Sequence, residues 1–184
     1  MIQKTIILAG ALLLFSFKAL TPSVEYRVTS GTISFKSEAS LELIKAQSNE
    51  LKGIILTEKK QFAFKVNINS FKGFNSPLQQ EHFNENYLET SLYPTASFEG
   101  KIIEDVDFAK DGTYPIRAKG NLTIHGVTQE RIIKCDLTIK NGNFNIKSIF
   151  SVLLEDHNIP IPKVVHEKLA SEIKVEVKAN LALK

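Results

Sequence analysis

Tryptophan is absent from this chain of 184 residues, and methionine and cysteine occur once each. With Cys135 alone, no internal disulfide can staple the fold, so stability must come from a packed interior. The same scarcity removes paired-cysteine zinc sites and Cys-x-x-Cys redox chemistry. The four histidines form no His-Glu-x-x-His pattern, and neither a Gly-x-Ser-x-Gly elbow nor a phosphate-binding glycine loop occurs. Neither sign of charge dominates. Lys and Arg number 23 against 20 Asp and Glu, and two of the basic residues, Lys4 and Lys18, lie in the first twenty positions. That stretch holds no acid, so without it the net charge is +1 and nothing points to nucleic acid or an anionic surface as partner.

Long apolar runs are missing too. The longest, Thr5 to Phe17, is uncharged and mostly apolar but falls short of the roughly 20 residues a spanning helix needs. Bounded by Lys4 and Lys18, it reads as an export signal over residues 1–20, with 21–184 as one domain destined for the periplasm or for secretion. Ala19 suits the last position before cleavage, whereas Phe17 is bulky where a small residue is preferred, so an uncleaved anchor stays open. After signal removal no stable membrane span is expected.

What the chain does have is alternation. In Phe62-Ala63-Phe64-Lys65-Val66-Asn67-Ile68-Asn69 the even positions are apolar and most odd ones polar, the two-residue period of a strand with one dry face. The same reading fits Tyr26 to Ser37, Tyr114 to Ile124, Ile133 to Ile139, Phe144 to Val152 and Ile173 to Leu183. Ala39 to Ala46 fits a short helix as well as a strand. Gly53 to Thr57 and Phe62 to Asn69 form a hairpin tipped by Glu58-Lys59-Lys60. Asn141-Gly142 is the strongest turn signal, since this pair readily takes the positive φ angles of a type I′ turn. Asp111-Gly112 and His125-Gly126 are further turn pairs.

Two interruptions read as helical. Ser76 caps and Pro77 opens a helix from Leu78 to about Thr90, and Ile161-Pro162 begins a shorter one through Val165 and Leu169. Strands joined this tightly are antiparallel, and several run about eleven residues, twice the usual length. Closing them into a barrel removes exposed edges. The fold class expected is all-β: an extended antiparallel barrel with two short helical insertions.

The inward set is then Phe35, the trio Phe62, Phe64 and Val66, and Phe98, followed by Ile116, Ala118 and Leu122. Ile133, Leu137, Phe144, Phe150 and Val175 complete it. Small residues on the same faces (Ala96, Gly100, Ala118, Gly120, Ser148) either leave open volume or permit sharp bends; the pattern alone does not separate a filled interior from a hollow one. A hollow one would be elongated and suit a long hydrocarbon, with these residues as its lining. Cys135, in phase with Ile133 and Leu137, reads as a small buried hydrophobe.

The polar residues yield one alternative. His82, Glu85, Asn86 and Glu89 fall at helical spacing, so a hydrolase or isomerase could use His82 with Glu85 or Glu89. The competing reading is a solvated stripe opposite Phe83 and Tyr87. His125 reads as a loop cap. A third reading is an envelope interaction protein with a packed core. No metal, cofactor or catalytic residue is assigned.

Three segments are similar to the YceI-like family: Phe71-Lys72-Gly73-Phe74-Asn75-Ser76, the stretch His82 to Glu89, and Tyr93-Pro94-Thr95-Ala96-Ser97-Phe98-Glu99-Gly100. So are Gly120-Asn121-Leu122-Thr123-Ile124-His125-Gly126-Val127-Thr128 and the closing Ile173 to Leu183. The likeness runs over about residues 24 to 183. It implies a lipocalin-like barrel, exported to the periplasm, that holds a polyisoprenoid or similar long-chain lipid without chemistry. The chain departs from many relatives after Phe35, where Lys36-Ser37-Glu38-Ala39 stands in place of a histidine-bearing stretch.

Overall fold

The computed structural model describes residues 24–184; the proposed signal segment lies outside them. Nine strands follow in order: β1 (Glu25–Glu38), β2 (Leu43–Ser48), β3 (Lys52–Leu56), β4 (Gln61–Asn67), β5 (Thr95–Ile102), β6 (Gly112–Ile124), β7 (Val127–Lys140), β8 (Asn143–Leu153) and β9 (Glu172–Leu183). All pair antiparallel, and β9 returns to β1, closing the sheet. β2 and β3 share one edge of β1, β3 against Glu25–Arg27 and β2 against Ile33–Glu38. They act as two halves of one stave, so the barrel has eight staves.

Register explains which side chains point inward. Along β1 the partners on β9 jump at Val28/Ser30, leaving Thr29 as an extra residue. A bulge of this kind shifts the alternation by one, so Tyr26 below it and Ile33, Phe35 and Ser37 above it all face the interior. Gly100 faces Gly120 across β5 and β6. A Cβ on either would come within 2.1 Å of the opposite strand's carbonyl oxygen, so these two glycines serve a close backbone approach rather than open volume.

The connections divide by end. At one end β3–β4 and β7–β8 are hairpins, the latter turning at Asn141 (φ 50) and Gly142 (φ 71), as the sequence pair requires. The expected turn at Asp111-Gly112 is different: β5 and β6 are joined by the loop 103–111, and the Asp111 carboxylate accepts the Asn141 N–H. Asp111 serves the neighbouring turn instead of making one.

At the other end the chain leaves the sheet three times, at 39–42, 68–94 and 154–171. The 68–94 excursion is closed at its base by Ile68 N–H to Pro94 O, 2.9 Å. It contains α1 (Pro77–His82), capped by Ser76 Oγ, and then one π-helical turn over Phe83–Tyr87. The helix expected as far as Thr90 thus ends at Tyr87, because Glu89 takes a left-handed φ of 42. The second expected helix is only a 3₁₀ turn, Lys163–Val165. Ala39 to Ala46 resolves as a loop followed by β2. Among the described residues no helix is long and apolar enough to cross a membrane.

Candidate functional site

The interior is packed at one end and hollow at the other. At the hairpin end Tyr26 stacks flat on Phe144, ring centroids 3.8 Å apart, and Phe108 leans against the same ring at 5.8 Å. Leu137, Ile139 and Leu181 fill the remaining space with almost no exposure. Above this floor lies a cavity of about 550 Å³, within the range of small-molecule pockets. Its wall on β6 runs from Ile116 to Ile124, about 26 Å along a strand and roughly 20 Å along the axis of a barrel tilted near 40°. The shape is elongated, as the strand lengths implied.

Of the inward set, Phe35, Phe62, Phe64, Val66, Phe98, Ile116, Ala118, Leu122, Ile133, Phe150 and Val175 stand on the cavity wall. Leu137 and Phe144 do not. They belong to the packed floor, where Phe144 stacks on Tyr26, a residue that the Thr29 bulge turns inward. Cys135 also lines the cavity, and burial pushes its thiol up to about 12. At neutral pH it is protonated and unreactive, as a small apolar side chain would be.

Residues from the excursions close the upper half. Phe71, Phe74 and Phe83 converge on Phe35; Phe83 stacks on it at 5.3 Å and 12°, and Phe74 lies 5.0 Å from Phe83. Tyr87 and Leu88 extend the same wall, and burial raises the Tyr87 phenol above its ordinary value. Ile159, Val165 and Leu169 enter from the 154–171 excursion. None of these came from strand alternation. The signal was present as phenylalanines at 71, 74 and 83 inside otherwise polar loops, which a surface loop has no reason to carry.

The 68–94 excursion forms a strap over the opening and is tied to β2 and the loop before it. Gln47 and Lys72 exchange backbone hydrogen bonds of 2.8 Å, Asn75 Nδ2 donates to Leu43 O, and Gln79 Nε2 donates to Glu42 Oε1 at 2.9 Å. The 163–169 turn meets the β1–β2 loop through Leu41 N–H to Glu167 O. Around the opening Leu41, Leu78 and Val164 stay exposed, at 66%, 57% and 88%.

A second break in the ladder sits beside it. β7 pairs with β8 only between Cys135/Ser148 and Lys140/Asn143. Beyond that, Arg131 Nη2 donates to Ser151 O (2.9 Å) and Gln129 Nε2 to Asp156 O (2.7 Å), so side chains replace backbone pairing. These inward polar residues are why alternation alone placed the start of this strand at Ile133 rather than Val127.

Of the residues considered for acid–base work, His82 and Glu89 are not brought together. His82 stands at the mouth, whereas Glu89, turned away by its left-handed backbone, contacts His125 Nε2 at 2.6 Å. The other nitrogen of His125 faces His157 O at 3.1 Å. Both ring nitrogens meet oxygen atoms, so this histidine ties the strap to the β6–β7 turn and to the 155–157 turn. His125 is a link between three loops, more than the single-loop cap expected. Among the described residues no group of three His, Cys, Asp or Glu could hold a metal ion.

Comparison with known proteins agrees with this architecture. A polyisoprenoid binding domain from Saccharophagus degradans, implicated in plant cell wall breakdown, superposes with a TM-score of 0.74 at 14% identity, covering 86% of this chain and 98% of that one. BcnA of Burkholderia cenocepacia gives 0.63 at 11% identity, covering 82% and 95%. The YCEI protein of Campylobacter jejuni gives 0.55 at 15% identity, covering 100% and 99%. At such identities the likeness establishes the fold. Among curated proteins, none matches the sequence. The YceI-like domain family matches residues 16–181, nearly the whole described barrel and its loops, and the chain therefore belongs to the YceI-like family.

Proposed function

We propose that this protein is an exported carrier that encloses one long apolar chain, a polyisoprenoid or similar lipid, and does no chemistry on it. The observation that carries the reading is the elongated cavity of about 550 Å³, walled by apolar side chains from the strands and by the phenylalanines of the strap. Burying a hydrocarbon in such a space gains about 25 cal/mol for each Å² of apolar surface removed from water. The Saccharophagus degradans domain of the same fold is a polyisoprenoid binder, which supports the choice of ligand class. Export rests on the charge and length of residues 1–20.

Organic extraction of the purified protein followed by mass spectrometry tests the reading. A stoichiometric long-chain lipid is expected from the unaltered protein. Leu122→Asp, which places a carboxylate on the wall, should come out empty while still folding, since a buried charge facing a hydrocarbon is strongly unfavourable. A barrel that is reproducibly empty, and that takes up no lipid on incubation, would remove the carrier reading.

A further inference from the structure

The register shows where the hollow stops. Across β6, β7, β8 and β9 the residues Ile116, Cys135, Ser148 and Val177 stand opposite one another in one row, and all four line the cavity. The next inward row toward the hairpin end is Tyr114, Leu137, Ile146 and Ala179, and only Ile146 borders the cavity. Tyr114 turns to the 103–111 loop, where its hydroxyl donates to Lys110 O at 3.0 Å. The row after that, with Ile139, Phe144 and Leu181, does not border it at all. On the other side of the barrel Ile55 lines the cavity, while Tyr26, its partner on β1, does not. The cavity is blind, and it closes within two inward positions on each of these strands.

A blind end gives chain length a meaning. An extended hydrocarbon advances about 1.25 Å per carbon, as tetrahedral C–C geometry dictates. The wall from Ile116 to Ile124, roughly 20 Å along the barrel axis, therefore matches about sixteen carbons. The volume of about 550 Å³ gives about eighteen, at the 30 Å³ or so that a water-sized group takes in a liquid. Further carbons stand in the opening or past it, where Leu78 and Val164 are exposed. The blind end also has nothing to offer a polar head. The Ser148 hydroxyl donates to Lys134 O at 2.7 Å and the Cys135 thiol is a weak donor, so a ligand enters tail first.

Resting on the carrier reading, we propose that the cavity measures its ligand. It encloses one apolar tail of about sixteen backbone carbons, and Ile146 and Val177 set the limit at the blind end. A longer polyisoprenoid keeps its remaining units, and its polar end, outside the strap. Each enclosed carbon strengthens binding about fourfold, and each carbon beyond the mouth far less.

Displacement of a fluorescent apolar probe, N-phenyl-1-naphthylamine, tests this with saturated methyl esters whose acyl chains run from ten to twenty-four carbons. The esters are delivered from cyclodextrin, and each one's own affinity for that carrier is corrected for. Affinity for the unaltered protein should rise about fourfold per carbon up to about sixteen, and less than twofold per carbon beyond. Ile146→Ala, which opens space at the blind end, should move this break about two to three carbons longer. Val177→Phe, which fills the row above, should move it about three to four carbons shorter. Ile132→Ala, the same truncation on the exposed outer face, should leave it in place. A break that stays put in every variant folded by circular dichroism overturns the measure, as does an equal shift from Ile132→Ala. Affinity that climbs without a break to twenty-four carbons also overturns it and leaves the carrier reading standing. If no ester displaces the probe from the unaltered protein, both readings fall.

Discussion

The two ends of the barrel are built from the same alternating strands, yet one closes on itself and the other stays hollow. At the hairpin end β7, β8, β9 and β1 stay paired throughout, with one bulge at Thr29, and Tyr26, Phe144, Leu137 and Leu181 mesh across the interior. At the opposite end β7 has parted from β8, and β2 has only the short bridge to Lys72 on its outer side. Each opened ladder widens the section, and inward side chains of ordinary size no longer reach one another. Alternation therefore specifies a dry face, and ladder continuity decides whether that face meets a partner or a void.

The largest expected effect separates these ends directly. Phe144→Ala should lower the unfolding free energy by about 3–5 kcal/mol, measured by chemical denaturation, because a fully buried ring leaves a hole its neighbours cannot close. Lipid affinity should hold wherever the variant is folded. Phe98→Ala, half-buried on the wall of an existing cavity, should cost about 1–2 kcal/mol and change ligand affinity instead. Equal stability losses with equal effects on binding would break the distinction between floor and cavity.

Cys135 sharpens it from within the hollow half. With its thiol raised to about 12, roughly one part in ten thousand is thiolate at pH 8. Alkylation by iodoacetamide should run about a thousandfold slower in the native protein than in the unfolded chain, followed by mass. Native labelling at the unfolded rate would mean that water and reagent reach the wall freely.

The smallest effect belongs to the outer surface. Glu104 accepts the Arg117 backbone N–H at 2.6 Å and the guanidinium at 2.7 Å, which hold its carboxyl below the usual value. A depressed carboxylate adds stability above its ordinary pKa and loses it as pH falls through the lowered one. Glu104→Gln should therefore reduce Tm by roughly 1–2 °C at pH 7, with the difference shrinking in acid below pH 4.5. A gap that widened on acidification would reverse the sign of this argument.

Much of the architecture was legible in short stretches. Phe62, Phe64 and Val66 alternate in sequence and line one wall in space, and Asn141-Gly142 turns where the pair demands positive φ. The misreadings share a cause. Asp111-Gly112 is a turn pair whose carboxylate is used by a different turn, and the first half of β7 fell outside the alternating stretch from Ile133 because it carries Gln129 and Arg131, which bond backbone atoms of the 151–156 stretch. His82 and Glu89 share a helical spacing, yet Glu89 sits past the helix and faces His125. In each case the partner lies far along the chain.

The order of residues was enough to specify which faces are dry, where the tight hairpins fall and that the strands are long, because side-chain period and turn stereochemistry act over a few residues. It could not specify where the ladders open, or which inward phenylalanine fills the floor and which borders the cavity. Those depend on which strands continue to pair across the closed sheet. That is a balance of backbone hydrogen bonds and packing among residues more than 150 positions apart, as Thr29 and Asn180 are.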